Sequence, residues 1–490
     1  MGLPGRRGRA ALAASLALVG LGGGALAAPG SPGTTADARA VSQPRVDPVY
    51  PGTGDDVVDA LHYDLRLSWL RPTRTLVGRE RLTFRAARDA DVLRLDLSRR
   101  LRVSALRLDD VAVPFRQHGD DLVVRAPLTA DSVHRLDLAY RGRPAPVRAP
   151  SVRDDLRSVG LTTSRGGQAW TFQQPYGAFT WYAVDDQPAD KATYDVRVAT
   201  PPAWRGVSGG RLVAERRLPT RRVMRWRLDV PAAAYTTTLA VGPYERRGVR
   251  GAGDGPRIVL TLPTGRADRL ERRLRHLGAD LAWLGRRLGP YPFDSLGVLG
   301  VPGASALEAQ SLVTIGVGRR APRSLTSRPV LVHELAHQWC GDLLTPSTWR
   351  DVWLSEGLAT YLQALYEAQH GGPGIDDVTT YWHYEEPRLR ADAGPPAAYP
   401  AERFGDDNVY VIPALMWHRI RQQVGDAAFW AALRAWPTSQ PGGVADLDGA
   451  AAWWSEATGH DLVPVFERWL RGTDPADAQA SSGPVDGGAG

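Results

Sequence analysis

The sequence predicts an α+β protein of more than one domain, mainly β in its first half and mainly helical in its second. A chain of 490 residues is long enough for two or three domains with sizeable cores. Before residue 250, several short segments alternate between apolar and polar residues, whereas a helical period dominates from residue 265 onward. The change from alternating to helical periodicity is the observation that predicts the α+β class.

The first domain is predicted over residues 47–250 from its strand pattern. Period-two alternation between turn residues is typical of strands with one buried face. Such segments lie at 62–67, 79–84, 92–97 and 134–140, and further strand-like pieces follow at 193–199, 223–228 and 236–241.

The second domain is predicted over residues 251–473 from helical patterns. Helices are expected at 265–288, 349–370, 414–424, 427–436 and 462–470, and in a segment that Ser327 can cap and Gly341 can end. Proline is tolerated in a first helical turn, so Pro329 is compatible with this helix.

The two ends of the chain have the composition of segments outside the fold. Residues 1–27 combine three arginines, a small-residue apolar stretch and an Ala-Leu-Ala cleavage pattern, which predicts a signal peptide, export and a secreted protein. The Sec route fits this stretch better than the twin-arginine route. An uncleaved membrane anchor is the alternative.

Residues 28–46 indicate a flexible leader, and residues 474–490 indicate a disordered tail.

Charge and cysteine content exclude some classes of protein. The formal net charge of +7 is mild for this length, and no basic stripe indicates a nucleic-acid partner. No apolar run after the signal stretch is long enough for a bilayer, so no stable membrane association is expected. The single cysteine, Cys340, excludes an internal disulfide bond. Cys340 lies three residues after the metal-binding motif that is described below, on the same face of the predicted helix. It is therefore either a buried packing residue or an additional metal ligand.

The most specific motif reads His-Glu-Leu-Ala-His at residues 333–337. Side chains four positions apart lie on one face of an α-helix, so His333 and His337 can direct two imidazole nitrogens at one metal ion. Glu334 projects from the flank of that face, where it can hold and deprotonate a water molecule without being a ligand. The motif therefore predicts a zinc site.

Glu356, nineteen residues after His337 in the sequence Trp-Leu-Ser-Glu-Gly, is the predicted third ligand. Three protein ligands leave the fourth position of zinc for water, which is the arrangement of a catalytic site rather than a structural one. One Zn²⁺ per chain is expected. A surface helix with a chance histidine pair would not explain the spacing of Glu356.

Beyond these two motifs, further segments resemble the aminopeptidase N family of gluzincin metallopeptidases. The resemblance covers about residues 48–472 and includes the segments 174–192, 289–293, 306–310 and 409–414. It implies a β-saddle domain followed by a thermolysin-like catalytic domain. Because the given sequence ends soon after residue 470, the large C-terminal helical domain of many relatives is expected to be absent. A more open site is therefore expected.

The resemblance also implies the substrate and the site residues. Peptides with free N-termini would be hydrolysed at the first peptide bond. Glu308 and Gln174 would hold the α-amino group of the substrate, Glu334 would act as general base and acid, and Tyr410 would donate to the oxyanion. The oligomeric state is left open.

Two segments depart from the family pattern. Many relatives read Gly-Ala-Met-Glu-Asn around the amine-binding glutamate, whereas Ser305, Leu307 and Ala309 stand at the first, third and fifth places here. Downstream of Tyr410, the usual Lys-Gly-Ala is replaced by Ile-Pro-Ala at 412–414, which removes a backbone donor.

Two alternatives to an aminopeptidase remain. A thermolysin-like endopeptidase shares the first motif, but its third-ligand helix usually supplies an aspartate where this chain has Thr360. A non-catalytic binding protein with a decayed site is the other alternative, and the intact ligands, base and amine anchor argue against it.

Overall fold

The computed structural model describes residues 42–249, 251 and 255–476. The predicted signal peptide, the leader up to residue 41 and the tail from residue 477 lie outside the described residues. The α+β class predicted from the sequence is confirmed, because a part made of several β-sheets precedes a mainly helical part.

The N-terminal part consists of strands with short connections. These strands are β1 (Val58–Leu70), β2 (Thr75–Ala86), β3 (Ala90–Asp96), β4 (Leu101–Leu108), β5 (Val111–Ala112), β6 (Phe115–His118), β7 (Asp121–Leu128), β8 (Val133–Gly142), β9 (Val147–Arg148), β10 (Ser158–Thr163), β11 (Ala169–Phe172), β12 (Lys191–Thr200), β13 (Arg205–Ser208), β14 (Arg211–Arg217), β15 (Arg222–Ala233) and β16 (Leu239–Gly242).

The largest sheet has the order β14-β15-β12-β1-β2-β8-β4-β5. In it β1 is antiparallel to β2 and parallel to β12. Smaller sheets have the orders β13-β16-β11-β10-β9 and β3-β7-β6. The alternation seen in the sequence is the alternation of burial along these strands, since Leu65 and Leu67 are buried while Arg66 is exposed.

The C-terminal part combines a five-stranded mixed sheet and a two-stranded parallel sheet with helices. Its strands are β17 (Tyr244–Val249), β18 (Ile258–Pro263), β19 (Leu296–Val301), β20 (Ala306–Leu307), β21 (Leu312–Gly316), β22 (Thr345–Pro346) and β23 (Val444–Ala445), of which β22 and β23 form the two-stranded sheet. Its helices are α1 (Ala267–Leu274), α2 (Leu277–Leu288), α3 (Arg328–Ala336), α4 (Trp353–Gln369), α5 (Ile375–Ala393), α6 (Asn408–Val424), α7 (Asp426–Ser439), α8 (Leu447–Thr458) and α9 (Val463–Leu470).

The mixed sheet has the order β17-β18-β19-β21-β20, and α1, α2 and α3 share a hydrophobic core with it. Its strand β17 comes before residue 250, where the sequence places the domain boundary. The single helix predicted over 265–288 is two helices, because a turn at Arg275 and His276 separates them. Short 3-10 helices lie at Arg71–Thr73, Ala178–Thr180, Ala234–Thr236, Arg323–Thr326, Trp349–Asp351, Ala401–Arg403 and Pro441–Gly443.

A separate hydrophobic cluster joins the two parts. It consists of Val49, Tyr50, Ala233, Tyr235, Trp349, Val352, Tyr399, Phe404 and Val409. Polar bonds reinforce this junction: Asp47 accepts from the backbone N–H of Trp349 at 2.7 Å, and Lys191 on β12 donates to the backbone oxygens of Asp342 and Leu343 at 3.0 and 2.8 Å. The loop after α3 is thereby fixed against the β part.

The described end of the predicted leader is also attached to the fold. The backbone N–H of Ser42 donates to Asp59 at 2.9 Å, and Arg45 donates to the hydroxyl of Ser347 at 2.7 Å. Within the described ranges, none of the helices is long and apolar enough to cross a membrane.

Candidate active site

Helix α3 presents the two histidines of the first motif. It begins after Ser327 and has proline in its first turn, as predicted, but the Ser327 side chain makes no capping bond. The helix ends at Ala336 rather than near Gly341, so His337 occupies the position after the last helical residue. Its φ of −58° and ψ of −23° are still helical. The i, i+4 geometry therefore holds, and the ring centroids of His333 and His337 lie 4.8 Å apart.

Glu356 lies in the first turn of α4, which packs against α3. Its Oε2 is 3.4 Å from the Nε2 atom of His333 and 3.4 Å from that of His337. The potential ligand atoms of the three residues all lie within 4.8 Å of one another. Two imidazole nitrogens and one carboxylate oxygen, converging from two rigid helices, fit a zinc ion with one open position.

The surroundings of these side chains suit metal ligands. The Nδ1 of His337 lies 3.2 Å from the backbone oxygen of Cys340, which can accept its proton and leave Nε2 free for the metal. Although burial acts in the opposite direction, His337 and His333 hold the pKa of Glu356 below its usual range. Cys340 is buried and stands outside the metal-ligating group found among the described residues. The predicted zinc cofactor is confirmed, and the packing interpretation of Cys340 agrees with its burial.

Glu334 lines the cavity that also contains His333, His337 and Glu356, without being one of the ligands. Only 8% of its surface is exposed, and burial raises the pKa of its carboxyl to about 8. A carboxylate whose pKa lies near neutrality can both accept and return a proton, which is the property required of a general base that later acts as an acid.

Glu308 and Gln174 meet on the wall of the cavity. Glu308 follows the edge strand β20 and Gln174 follows β11, so the two parts of the protein each supply one side chain. The Nε2 of Gln174 donates to Oε1 of Glu308 at 2.7 Å. Glu308 is 4% exposed, and burial raises the pKa of its carboxyl to about 7. The sequence prediction that these residues act together thus corresponds to a direct contact.

Gln338 joins the zinc helix to the segment that carries Glu308. Its Nε2 donates to Asp342 at 2.7 Å and to the backbone oxygen of Glu308 at 3.3 Å. Its Oε1 accepts from the backbone N–H of Ser311 at 2.9 Å and from the hydroxyl of Tyr291 at 3.1 Å. Gln338 lies just outside the five-residue motif, and the sequence predicted no task for it. Its position directly after His337 was the available signal.

Tyr410 lies in the first turn of α6, because this helix begins six residues earlier than the predicted 414. Its ring centroid is 6.2 Å from that of His333, and it lines the cavity. Tyr381 and Tyr384, the neighbouring tyrosines, are 61% and 80% exposed on α5 and do not line it. Of these three tyrosines, Tyr410 is therefore the one whose position suits a role in the site.

Close packing of α4 and α6 explains the proline near Tyr410. A Cβ atom on Gly357 would lie 2.3 Å from the Cβ of Pro413, a distance at which one of the helices would have to shift. Glycine at 357, directly after the third ligand, therefore permits the close approach of α6. The helix continues through Pro413, so the Ile-Pro-Ala sequence does not displace Tyr410 from the site.

Arg153 and Asp155 are site residues that sequence reasoning missed. They come from the segment after β9 in the N-terminal part and line the same cavity as the zinc ligands. The Nη1 of Arg153 donates to the hydroxyl of Tyr410 at 2.9 Å. No pattern in this arginine-rich sequence distinguishes Arg153 from its neighbours.

The cavity encloses about 420 Å³ and brings together all seven residues predicted from the sequence. These are Gln174, Glu308, His333, Glu334, His337, Glu356 and Tyr410. A His-Glu-X-X-His helix, a glutamate on a second helix and a carboxylate beside them define a zinc metallopeptidase site of the gluzincin class.

Comparisons with known proteins agree with this class. The family description "Peptidase family M1 domain" matches residues 290–394. Aminopeptidase N of Streptomyces lividans is 28% identical over 327 residues, which are 59% of this chain and 36% of that protein. Aminopeptidase N of Acetobacter pasteurianus is 28% identical over 196 residues, which are 36% of this chain and 53% of that protein.

Solved structures extend the similarity to the whole fold. The M1 zinc metallopeptidase of Deinococcus radiodurans is 28% identical, with a TM-score of 0.78 over 87% of this chain and 97% of that chain. A mutant of that enzyme was solved with a bound Tyr-Ser-Ala substrate. The chain described here therefore contains a segment that matches the peptidase family M1 domain, and it is similar to aminopeptidase N proteins and to an M1 zinc metallopeptidase of known structure. It spans about a third to a half of the length of the two curated relatives.

Proposed function

We propose that this protein is an exported zinc aminopeptidase that removes the N-terminal residue from peptides. The observation that carries the proposal is the pair of Glu308 and Gln174, hydrogen-bonded to each other in the cavity of the zinc ligands. A buried carboxylate close to the metal site can pair with the ammonium group of a chain terminus, and this pairing restricts cleavage to the first peptide bond.

The atoms of this pair fit an ammonium group. Gln174 donates through Nε2 to one oxygen of Glu308, so its own Oε1 is the amide atom suited to accept from a substrate. The carboxylate of Glu308 and the Oε1 of Gln174 are two acceptors on one wall of the cavity, and they suit a substrate ammonium group, which has three N–H donors. The Deinococcus structure with Tyr-Ser-Ala supports peptides as the substrate class.

The remaining residues supply the hydrolytic steps. A zinc ion on His333, His337 and Glu356 would lower the pKa of a water molecule and polarise the scissile carbonyl. Glu334 would accept a proton from the attacking water at its carboxylate and return it to the nitrogen of the leaving peptide. The hydroxyl of Tyr410 would donate to the carbonyl oxygen as negative charge develops there.

Export is the part of the proposal that depends on the sequence alone. It is supported by the signal-like composition of residues 1–27, which lie outside the described residues. N-terminal sequencing of the protein recovered from culture medium would test it, with a new N-terminus close to residue 28 as the expected result. Retention in the cell with an intact N-terminus would contradict it.

A substrate panel tests the activity. Aminoacyl-arylamides with a free amine, their N-acetylated analogues and internally quenched peptides with blocked ends would be compared on the zinc-loaded protein. We expect turnover of the free amines and very poor turnover of the blocked compounds, since a buried carboxylate left without its partner costs several kcal/mol. Cleavage of blocked peptides at internal bonds, at rates like those of free peptides, would instead identify an endopeptidase.

A further inference from the structure

Arg153 extends from the N-terminal part to the hydroxyl group of Tyr410. Besides its 2.9 Å bond to that hydroxyl, Nη1 donates to the backbone oxygen of Gly405 at 3.2 Å. The guanidinium carbon lies 5.6 Å from the centroid of the Tyr410 ring. The β part of the protein thus contacts the tyrosine that is predicted to stabilise the oxyanion.

The hydrogen bonds of Arg153 indicate a fixed side chain rather than a receptor for substrate. A guanidinium group has five N–H donors and no acceptor. Nε and Nη2 donate to the two oxygens of Asp155 at 3.0 and 2.7 Å, and Nη1 makes the two bonds to Gly405 and Tyr410. Four of the five donors are therefore engaged, and a bidentate contact to a substrate carboxylate would require existing bonds to break.

The bond to Arg153 also determines which of its two hydrogen-bonding roles the Tyr410 hydroxyl plays toward each partner. A tyrosine hydroxyl carries one proton and can accept as well as donate. Because guanidinium can only donate, the oxygen of Tyr410 is the acceptor in this pair. Its single proton is then left for an acceptor elsewhere, and Tyr410 lines the cavity of the zinc ligands.

Asp155 connects this pair to the segment that carries Glu308. The hydroxyl of Ser305 donates to Oδ2 of Asp155 at 3.1 Å. Ser305 stands where many relatives have glycine, which has no side chain to make this bond. A continuous series of hydrogen bonds thus runs from Tyr410 through Arg153 and Asp155 to the beginning of the amine-binding segment.

We propose that Arg153 is a positioning residue that keeps the Tyr410 proton directed at the carbonyl oxygen of the substrate. It acts through Tyr410 and not on the substrate itself. This inference rests on the proposed aminopeptidase function and adds a residue from the β part to its machinery.

A double-mutant cycle between Arg153→Met and Tyr410→Phe tests the inference. Methionine keeps an unbranched stem while removing the donors, and phenylalanine keeps the ring while removing the hydroxyl. With a free-amine substrate, Arg153→Met alone should lower kcat about 10-fold, the size of one lost hydrogen bond to a charged group, with KM changed by less than about twofold. In the Tyr410→Phe background the same change should lower kcat by less than about twofold, because the hydroxyl that it positions is gone.

Arg157→Met is the matched control, since Arg157 lies in the same segment, pairs with Asp154 and is 76% exposed in its side chain. It should leave kcat unchanged. Zinc content and thermal unfolding are measured for every variant. Should Arg153→Met lose zinc or fold poorly, Arg153→Lys enters the same cycle, with the same non-additivity expected.

The outcomes separate the inference from the proposed function. A wild-type protein that fails to hydrolyse free-amine substrates overturns both. An active wild-type protein in which the Arg153 and Tyr410 effects multiply independently, or in which Arg153→Met changes KM alone, overturns the positioning role and leaves the aminopeptidase function intact.

Discussion

Glu308→Gln tests the amine-binding site most directly. Glutamine has nearly the same shape as glutamate and can still accept the bond from Gln174 through its amide oxygen, so the wall of the cavity should keep its form. The variant removes only the negative charge. A substrate ammonium group would then be taken from water into a site that has no charged partner for it.

The expected size of the effect follows from the burial of this carboxylate. Glu308 is 4% exposed, so its interaction with an ammonium group is little screened by solvent. Losing one partner of a buried, hydrogen-bonded charge pair costs about 2–5 kcal/mol. Because Gln174 is retained, we expect the lower part of this range, about 2–4 kcal/mol, which corresponds to about a 30- to 900-fold loss in kcat/KM.

The assay compares free and N-acetylated aminoacyl-arylamides with wild-type protein and with Glu308→Gln. The loss should appear with the free substrates and be absent with the acetylated ones, so the preference for a free amine should fall by the same factor. Glu385→Gln is the control, because Glu385 forms an ion pair with Arg388 on α5, away from the cavity. An equal loss with acetylated substrate would show that Glu308 supports the fold or the metal site, and would refute its role in binding the amine.

The other predictions concern the metal, the base, the tyrosine and the helix contact. His333→Ala should lower the zinc content measured by atomic emission, and a chelator should abolish activity; full activity in verified metal-free protein would contradict the zinc assignment. Glu334→Gln should keep the zinc and lose about 10²- to 10⁴-fold in kcat, whereas lost zinc would make it a structural residue. Tyr410→Phe should lower kcat about 10²- to 10³-fold with little change in KM, and Tyr384→Phe, its exposed control, should not; a larger loss in the control would reassign the tyrosine. Gly357→Ala should destabilise the protein by about 1–3 kcal/mol in denaturant unfolding, because its new Cβ lies 2.3 Å from an atom of α6, and an unchanged midpoint would disprove this contact.

The metal site could be predicted because its residues lie close together in the sequence. His333, Glu334 and His337 belong to one helical segment, where spacing alone determines which side chains share a face. Even the early end of α3 at Ala336 does not change this result, since His337 keeps helical dihedral angles. Glu356 required only that a second helix follow soon enough to pack against the first.

The fold was predictable where a strand has one polar face and less so where it is buried on both. The alternation in β1 and β2 indicated strands, whereas β19 (Leu296–Val301) and β21 (Leu312–Gly316) are buried along their whole length. A short, continuous apolar segment does not distinguish a buried strand from a buried helix. The central strands of the C-terminal sheet were missed for this reason.

The contacts of Arg153 and Gln338 were not predictable from the sequence around these residues. Arg153 and Tyr410 are 257 positions apart, and one arginine among many carries no local signal of its partner. Gln338 was visible beside His337, but its bonds to Asp342 and Ser311 depend on how the loop after α3 folds. In both cases tertiary structure, and not residue type, gives the side chain its task.

Pro413 shows how tertiary structure can reverse the meaning of a sequence feature. Within an isolated helix, proline removes a backbone donor and crowds the preceding turn, so its position three residues after Tyr410 argued against a regular helix there. In the fold, its ring packs against Gly357, the residue that follows the zinc ligand Glu356. Because glycine has no side chain, α4 and α6 come close enough for the tyrosine to reach the metal site. Gly357 and Pro413, one on each helix, therefore form the close contact between the helix of the third ligand and the helix of Tyr410.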